Sequence, residues 1–291
     1  MSKESVGSRY AREAFVQSIA CVTDFTPASM NAFAHALMMA LNLRCDLTLL
    51  HVEGPQDAGL EWSRVPLVRG ALERWGYLEP GSSRSAVFEK TAVRVRKVEV
   101  AGESIQEALG DLLQEYPIDL VVFGTDGRSE IGSWLRPSVP ARLLHESRTM
   151  ALFVPEKGRG FVSLHHGGFT LRRVLIPVDS QPDPRPAVTY AFRAAVFSSE
   201  ELVRMYLLHV GSAEAAPQID IPIRPYLAWE MLNRAGEVPE QILQAAQSTE
   251  ADLLVMATTG SNGFLDIRRS SIAQQIVRSA PCPVLTVPVG G

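Results

Sequence analysis

Asp119-Leu-Val-Val-Phe-Gly-Thr-Asp-Gly127 returns later in the chain as Asp252-Leu-Leu-Val-Met-Ala-Thr-Thr-Gly260. In each copy an aspartate opens an aliphatic run and a glycine closes it. A short apolar run without alternation, bounded by turn residues, reads as a strand covered on both faces. Further pairs fall outward from this one in the same order. Ser18-Ile-Ala-Cys-Val-Thr-Asp24 matches Val174-Leu-Ile-Pro-Val-Asp179, and Leu47-Thr-Leu-Leu-His51-Val52 matches Met205-Tyr-Leu-Leu-His209-Val210. Gly102-Glu103 matches Gly236-Glu237, and Ala151-Leu-Phe-Val-Pro155 matches Val284-Leu-Thr-Val-Pro288.

A repeat of this kind fixes the architecture. The offset between copies is 155 at Asp24 and Asp179, but 133 at Gly127 and Gly260. The second copy is therefore shorter between its second and third strands. There the first copy carries Leu67 to Leu78, an amphipathic helical pattern, and the second carries only Gly211 to Ala228, so a helix is expected to be missing. Helical spacing recurs over Pro27 to Leu43 (Met30, Phe33, Ala34, Leu37, Leu41) and over Ser271 to Arg278 (Ile272, Ile276, Val277). Strands alternating with helices predict two repeated α/β domains, each a doubly wound, Rossmann-like, five-stranded parallel sheet. The expected division is 14–158, a linker over 159–170 and 171–291, with the Gly-rich join centred near residue 165. The terminal strand Pro283 to Val287 and its counterpart near Leu152 are candidates to pair with each other, which would cover both edges.

The bulk numbers narrow the function. The chain has 291 residues, 46% hydrophobic and 21% charged, with a formal charge of −4. That charge argues against a general nucleic-acid binder. No apolar run is long enough to span a bilayer, and the first residues lack a secretory apolar core. Cys21, Cys45 and Cys282 sit in apolar contexts and read as reduced, buried thiols. A cytoplasmic protein is the expectation.

The ordered matches resemble tandem universal stress proteins. Domains of that family place an aspartate after the first strand, a valine after the second, and Gly-x2-Gly-x9-Gly-[Ser/Thr] after the fourth. A Pro-Val-Leu-x-Val strand ends the domain. The resemblance implies adenine-nucleotide binding in one branch and dimerisation through the last strand, here as an intramolecular pseudo-dimer. The positions of the residues agree with this: the aspartates and glycines fall at strand ends, where open parallel sheets bind ligands.

The two copies depart from that pattern differently. In the first it reads Gly124-x2-Gly127-x9-Pro137-Ser138. Pro137 and Pro140 each remove an amide donor from the helix start that would cradle phosphate. Asp24, Val52, Phe123, Gly124, Gly127 and Ser138 form this weaker candidate site. In the second copy it reads Ala257-x2-Gly260-x9-Ser270-Ser271. Ala257 is costly only where a positive φ is demanded. Ser270, Ser271 and Ile272 keep their amides, and Arg268 and Arg269 add charge. Pro177, Asp179, Val210, Met256, Ala257, Gly260, Ser270, Ser271 and Ile272 form the favoured site. The expected cofactor is ATP or another adenine nucleotide, with Mg2+ only alongside it.

Other residues carry plainer readings. Asp24 and Asp179 either meet a ligand or cap the following helix. His51 and His209 read as strand-end packing and hydrogen-bonding residues. His165 and His166 lack further ligands nearby and read as solvent-exposed. Trp62 and Trp75 read as core or domain-interface anchors. No nucleophile elbow, no zinc spacing and no acid–base carboxylate pair appears, so the expectation is a protein that binds, with at most slow hydrolysis. A nucleotide-free scaffold with vestigial pockets is the competing reading. A protein partner is expected but unnamed, with no nucleic acid and no membrane, and a homodimer of the tandem chain stays open.

Overall fold

The computed structural model describes residues 16–53, 68–101, 104–125, 148–196, 202–259 and 272–289. They fall into two compact units. Unit 1 holds the residues up to Gly124 with Val162–Phe169, and unit 2 holds Thr125–Phe161 and Thr170 onward.

In unit 1, β1 (Ser18–Val22), β2 (Asp46–Glu53), β3 (Val95–Ala101) and β4 (Leu120–Thr125) line up in the order β3-β2-β1-β4, with the β1 and β2 pairings parallel. The helix α1 (Pro27–Leu43) spans the residues its periodicity predicts. Thr26 caps it, accepting the Ser29 N–H at 3.4 Å, and Pro27 occupies the first turn, where a missing N–H costs nothing. Arg44 ends it in the left-handed region, φ 52°. The small residues Ala28, Ala32, Ala34 and Ala36 are buried beside Phe33 and Leu37. The helix α2 (Val68–Arg74) lies inside the predicted amphipathic stretch, and α3 (Arg84–Thr91) follows it, a helix the sequence pattern did not reveal. The helix α4 (Ile105–Glu115) opens on a capping box of Ser104 and Glu107.

Unit 2 contains β5 (Met150–Pro155), β6 (Arg173–Pro177), α5 (Arg185–Val196), β7 (Val203–Val210), β8 (Leu227–Arg234), α6 (Val238–Ser248), β9 (Leu253–Thr259), α7 (Ile272–Ser279) and β10 (Val284–Val289). Its strand order is β5-β10-β9-β6-β7-β8. The pairings are parallel except that β10 meets β5 antiparallel, Val284 facing Phe153, Leu285 facing Leu152 and Thr286 facing Ala151. The last strands of the two sequence repeats thus pair, as their apolar character suggested. Between β7 and β8 there is only a 3-10 turn, Ala213–Ala215, so the helix predicted to be missing is missing.

The aspartates that open the repeated motif have a structural task in both units. The Asp119 carboxylate accepts the backbone N–H groups of Gln17 and Ser18 at 2.7 and 3.1 Å. Asp252, 7% exposed, does the same for Arg172 and Arg173 at 2.9 and 2.8 Å. Each ties the start of its repeat's first strand to the start of its fourth and satisfies two backbone donors there.

Candidate functional site

In an open parallel sheet the ligand crevice lies outside the carboxyl ends of the strands, where the chain reverses its direction of strand addition. Unit 1 reverses between β1 and β4. Their register, Ile19 to Leu120 through Cys21 to Val122, carries Asp24, Phe123 and Gly124 to that point. Unit 2 reverses between β6 and β9. The register Val174 to Leu253 and Leu175 to Leu254 carries Pro177, Asp179, Met256 and Ala257 there. Val52 and Val210 lie near the carboxyl ends of the adjoining strands β2 and β7. Gly127, Ser138, Gly260, Ser270 and Ser271 lie outside the described residues, as do Trp62, Pro137, Pro140, Arg268 and Arg269. Ile272 is the first residue of α7, 44% exposed.

The unit 1 crevice is closely built. Asp24 Oδ1 accepts the Thr26 N–H at 3.0 Å and the Thr26 hydroxyl at 2.6 Å. The cap of α1 is therefore Thr26, and Asp24 braces it. Between them Phe25 takes a φ of 62°. That region costs a non-glycine residue about 1–2 kcal/mol. It places the Phe25 ring 4.6 Å from the His51 ring, tilted by 44°. Thr23 lies beneath: its hydroxyl accepts the Phe25 N–H at 3.2 Å, and its carbonyl meets His51 Nδ1 at 2.8 Å. A Cβ on Gly124 would stand 2.5 Å from the Ala28 carbonyl carbon and oxygen and 2.6 Å from Ser29 N. The open side of this glycine is thus filled by the first turn of α1. The expectation of close backbone approach holds, but the neighbour is the helix.

Unit 2 is built from the same plan with different side chains. Asp179 Oδ1 accepts the Ser180 N–H at 2.6 Å and the Ser180 hydroxyl at 3.3 Å. The following helix starts only at Arg185, and its entry is set by Asp183, which accepts the Arg185 N–H at 3.0 Å. The Arg185 guanidinium beside it holds the Asp183 carboxyl below the usual range. So neither Asp24 nor Asp179 caps a helix. His209 Nδ1 faces the Val178 carbonyl at 3.3 Å, the counterpart of His51 and Thr23. A carbonyl only accepts, so Nδ1 carries the proton in both pairs. Both rings are buried, 1% and 2% exposed, and serve strand-end packing. Ala257, 8% exposed, is absent from the positive-φ residues, so its replacement of glycine carries no backbone strain.

The remaining candidates are settled by their surroundings. His165 and His166 are exposed, and His166 Nδ1 accepts the Gly168 N–H at 3.1 Å. The Trp75 indole N–H donates to the Leu164 carbonyl at 3.1 Å, which makes Trp75 an anchor for the 162–169 segment within unit 1. The three cysteines are buried and unpaired, and burial pushes each thiol up to about 12. Among the described residues no group of three or more His, Cys, Asp or Glu is placed to hold a metal, and no helix is long and apolar enough to cross a membrane. Sequence reasoning missed Phe25 and Ser180. The signal was present, since the two positions share the offset of 155 that relates Asp24 to Asp179.

Comparison with known proteins follows the same lines. Residues 16–155 and 224–288 match the model of the universal stress protein family. A universal stress protein of Methanocaldococcus jannaschii is 24% identical over 146 residues, 43% of this chain and 86% of that protein. One of Thermus aquaticus is 46% identical over 52 residues, 18% of this chain and 38% of that protein. The crystal structure of a universal stress protein from Archaeoglobus fulgidus shares the fold, with a TM-score of 0.57 at 16% identity, over 94% of this chain and 99% of that one. With two matched stretches that together span most of its length, the chain belongs to the universal stress protein family.

Proposed function

We propose that this is a stress-response protein that binds one adenine nucleotide at the strand-reversal crevice of unit 2, and that the unit 1 crevice has lost that role. The observation that carries the proposal is the difference at one matched position. In unit 1 the Phe25 ring lies against His51 at the strand end and Asp24 braces Thr26. In unit 2 that position is Ser180, and Asp179 bonds only this neighbour among the described residues, with five residues between Asp179 and the start of α5 at Arg185. Each carboxylate uses only Oδ1 in these bonds, so the difference is the ring: with serine in place of Phe25, the Asp179 carboxylate suits the hydroxyls of a ribose. The amides at the start of α7 suit phosphate.

The role is binding. Hydrolysis is at most slow, Mg2+ enters only with the nucleotide, and the protein works in the cytoplasm by presenting a ligand-dependent surface to a protein partner. Calorimetric titration of nucleotide-stripped protein with ATP, ADP and AMP tests the assignment. Asp179→Ala is expected to weaken binding about tenfold or more, the worth of a charge-assisted hydrogen bond, while Asp24→Ala leaves it unchanged. Equal affinity in all three proteins would remove Asp179 from the site. No binding by the parent protein at millimolar nucleotide would leave the scaffold reading.

A further inference from the structure

β8, the strand after the shortened connection, is an edge strand. It ends the strand order of unit 2, with β7 on one side and, among the described residues, no strand on the other. Its outward groups follow from the ladder. The Tyr226 carbonyl accepts the Val203 N–H at 2.9 Å, and the Arg234 carbonyl accepts the Gly211 N–H at 2.8 Å. In a parallel pair the N–H and C=O of one residue point the same way and alternate along the strand. Even-numbered residues of β8 therefore face β7, and Trp229, Met231 and Asn233 turn their backbone groups outward. Among the described residues these outward groups have no backbone partner.

The edge carries no lysine, proline or bulge, and its two charges, Glu230 and Arg234, are of opposite sign. Natural edges are blunted by lysine, proline, bulges or a covering element, and β8 reads Leu-Ala-Trp-Glu-Met-Leu-Asn-Arg. Met231 is 50% exposed. The Trp229 indole N–H donates to the Pro222 carbonyl at 3.0 Å, which brings the Ile221–Ile223 segment beside the strand with Ile223 83% exposed.

We propose that β8 pairs antiparallel with β8 of a second copy of this chain, about a two-fold axis at Leu232. The charges select this register. With the axis at Leu232, Met231 stands opposite Asn233 of the second copy. Both are outward-facing, so the pair exchanges two N–H···O=C bonds, and symmetry repeats it. Glu230 then stands opposite Arg234 of the second copy, twice over. Glu230 is exposed and has no partner among the described residues, and Arg234 spends one bond on Ser248 at 2.8 Å, with donors to spare. Moving the axis by one residue to Met231 shifts the register by two, setting Glu230 against Leu232 and Arg234 against Ala228, which pairs no charge. The occupant is the chain itself because the same short segment supplies both halves of the charge pattern.

Sedimentation of the full chain over a concentration series tests this. The parent is expected to dimerise. Met231→Pro removes an outward N–H that the β7 ladder does not use, so it is expected to give a folded monomer. Glu230→Arg or Arg234→Glu alone is expected to weaken the dimer about tenfold, and the double swap to restore it. Leu232→Cys is expected to oxidise to a covalent dimer, since directly opposed non-hydrogen-bonded residues lie within disulfide reach, and Asn233→Cys is not. A parent that stays monomeric, or a dimer indifferent to both the charge swap and Leu232→Cys, would overturn the proposal.

Discussion

Glycine at the end of the fourth strand has two meanings, and the two copies separate them. Gly124 is glycine for space: an added Cβ would meet the backbone of Ala28 and Ser29 at 2.5–2.6 Å, contacts that only a shift of α1 can relieve. Gly124→Ala is expected to destabilise the protein by about 1–3 kcal/mol through overpacking, measured as a shift of the urea midpoint at constant slope. Ala257→Gly, in the unit that already accepts a methyl group, is expected to cost about 0.5–1 kcal/mol from chain entropy alone. His35 is a second residue-scale test. It is 2% exposed on α1, with Nδ1 on the Asn31 carbonyl at 2.8 Å, and burial lowers its pKa from 6.5 to about 4. The folded form binds fewer protons than the unfolded chain between those values. Stability should therefore be complete above about pH 6.5 and should fall as the pH drops toward about 4. Unfolding curves across that window should flatten in His35→Gln; an unchanged slope would assign the acid sensitivity elsewhere.

The segment joining the two repeats is an element in its own right. Val162 and Phe169 form an antiparallel bridge, Ser163 N–H donates to the Gly168 carbonyl at 3.0 Å, and Gly167 N–H donates to the Ser163 carbonyl at 2.8 Å. Gly167 has a φ of 67°, and a Cβ there would stand 2.5 Å from Trp75 Cδ2. Gly167→Ala is expected to cost about 1–2 kcal/mol from the backbone alone, and to speed hydrogen exchange at Ser163 and Gly167. Composition marked this stretch as linker, and only a contact across some ninety positions, Trp75 to Leu164, shows what it does. The same divide runs through the other elements. α1 was legible because its apolar spacing is local. The shortened connection before β8 was legible because the repeat offset exposes a deletion. α3 was not legible: none of its residues is buried, so it carries no apolar stripe to read. The tertiary neighbours of Phe25 and Gly124, at His51 and Ala28, were not legible either, since they lie beyond any sequence window.

At the scale of the molecule, sequence repeats and compact units do not coincide. β5 belongs by sequence to the first repeat, yet it pairs with β10 and falls in unit 2. The Thr286 hydroxyl adds a bond to the Ala151 carbonyl at 3.3 Å. A fragment of residues 171–291 would leave β10 as an open, aliphatic edge, and is expected to self-associate in light-scattering measurements. A bound nucleotide would belong to one unit only. The most direct measurement is to denature the purified full chain and to identify and count the released nucleotide by chromatography, beside Gly260→Asp and Gly127→Asp. One adenine nucleotide per chain, lost in Gly260→Asp and kept in Gly127→Asp, is the expected result. Nucleotide kept in Gly260→Asp and lost in Gly127→Asp would contradict the account.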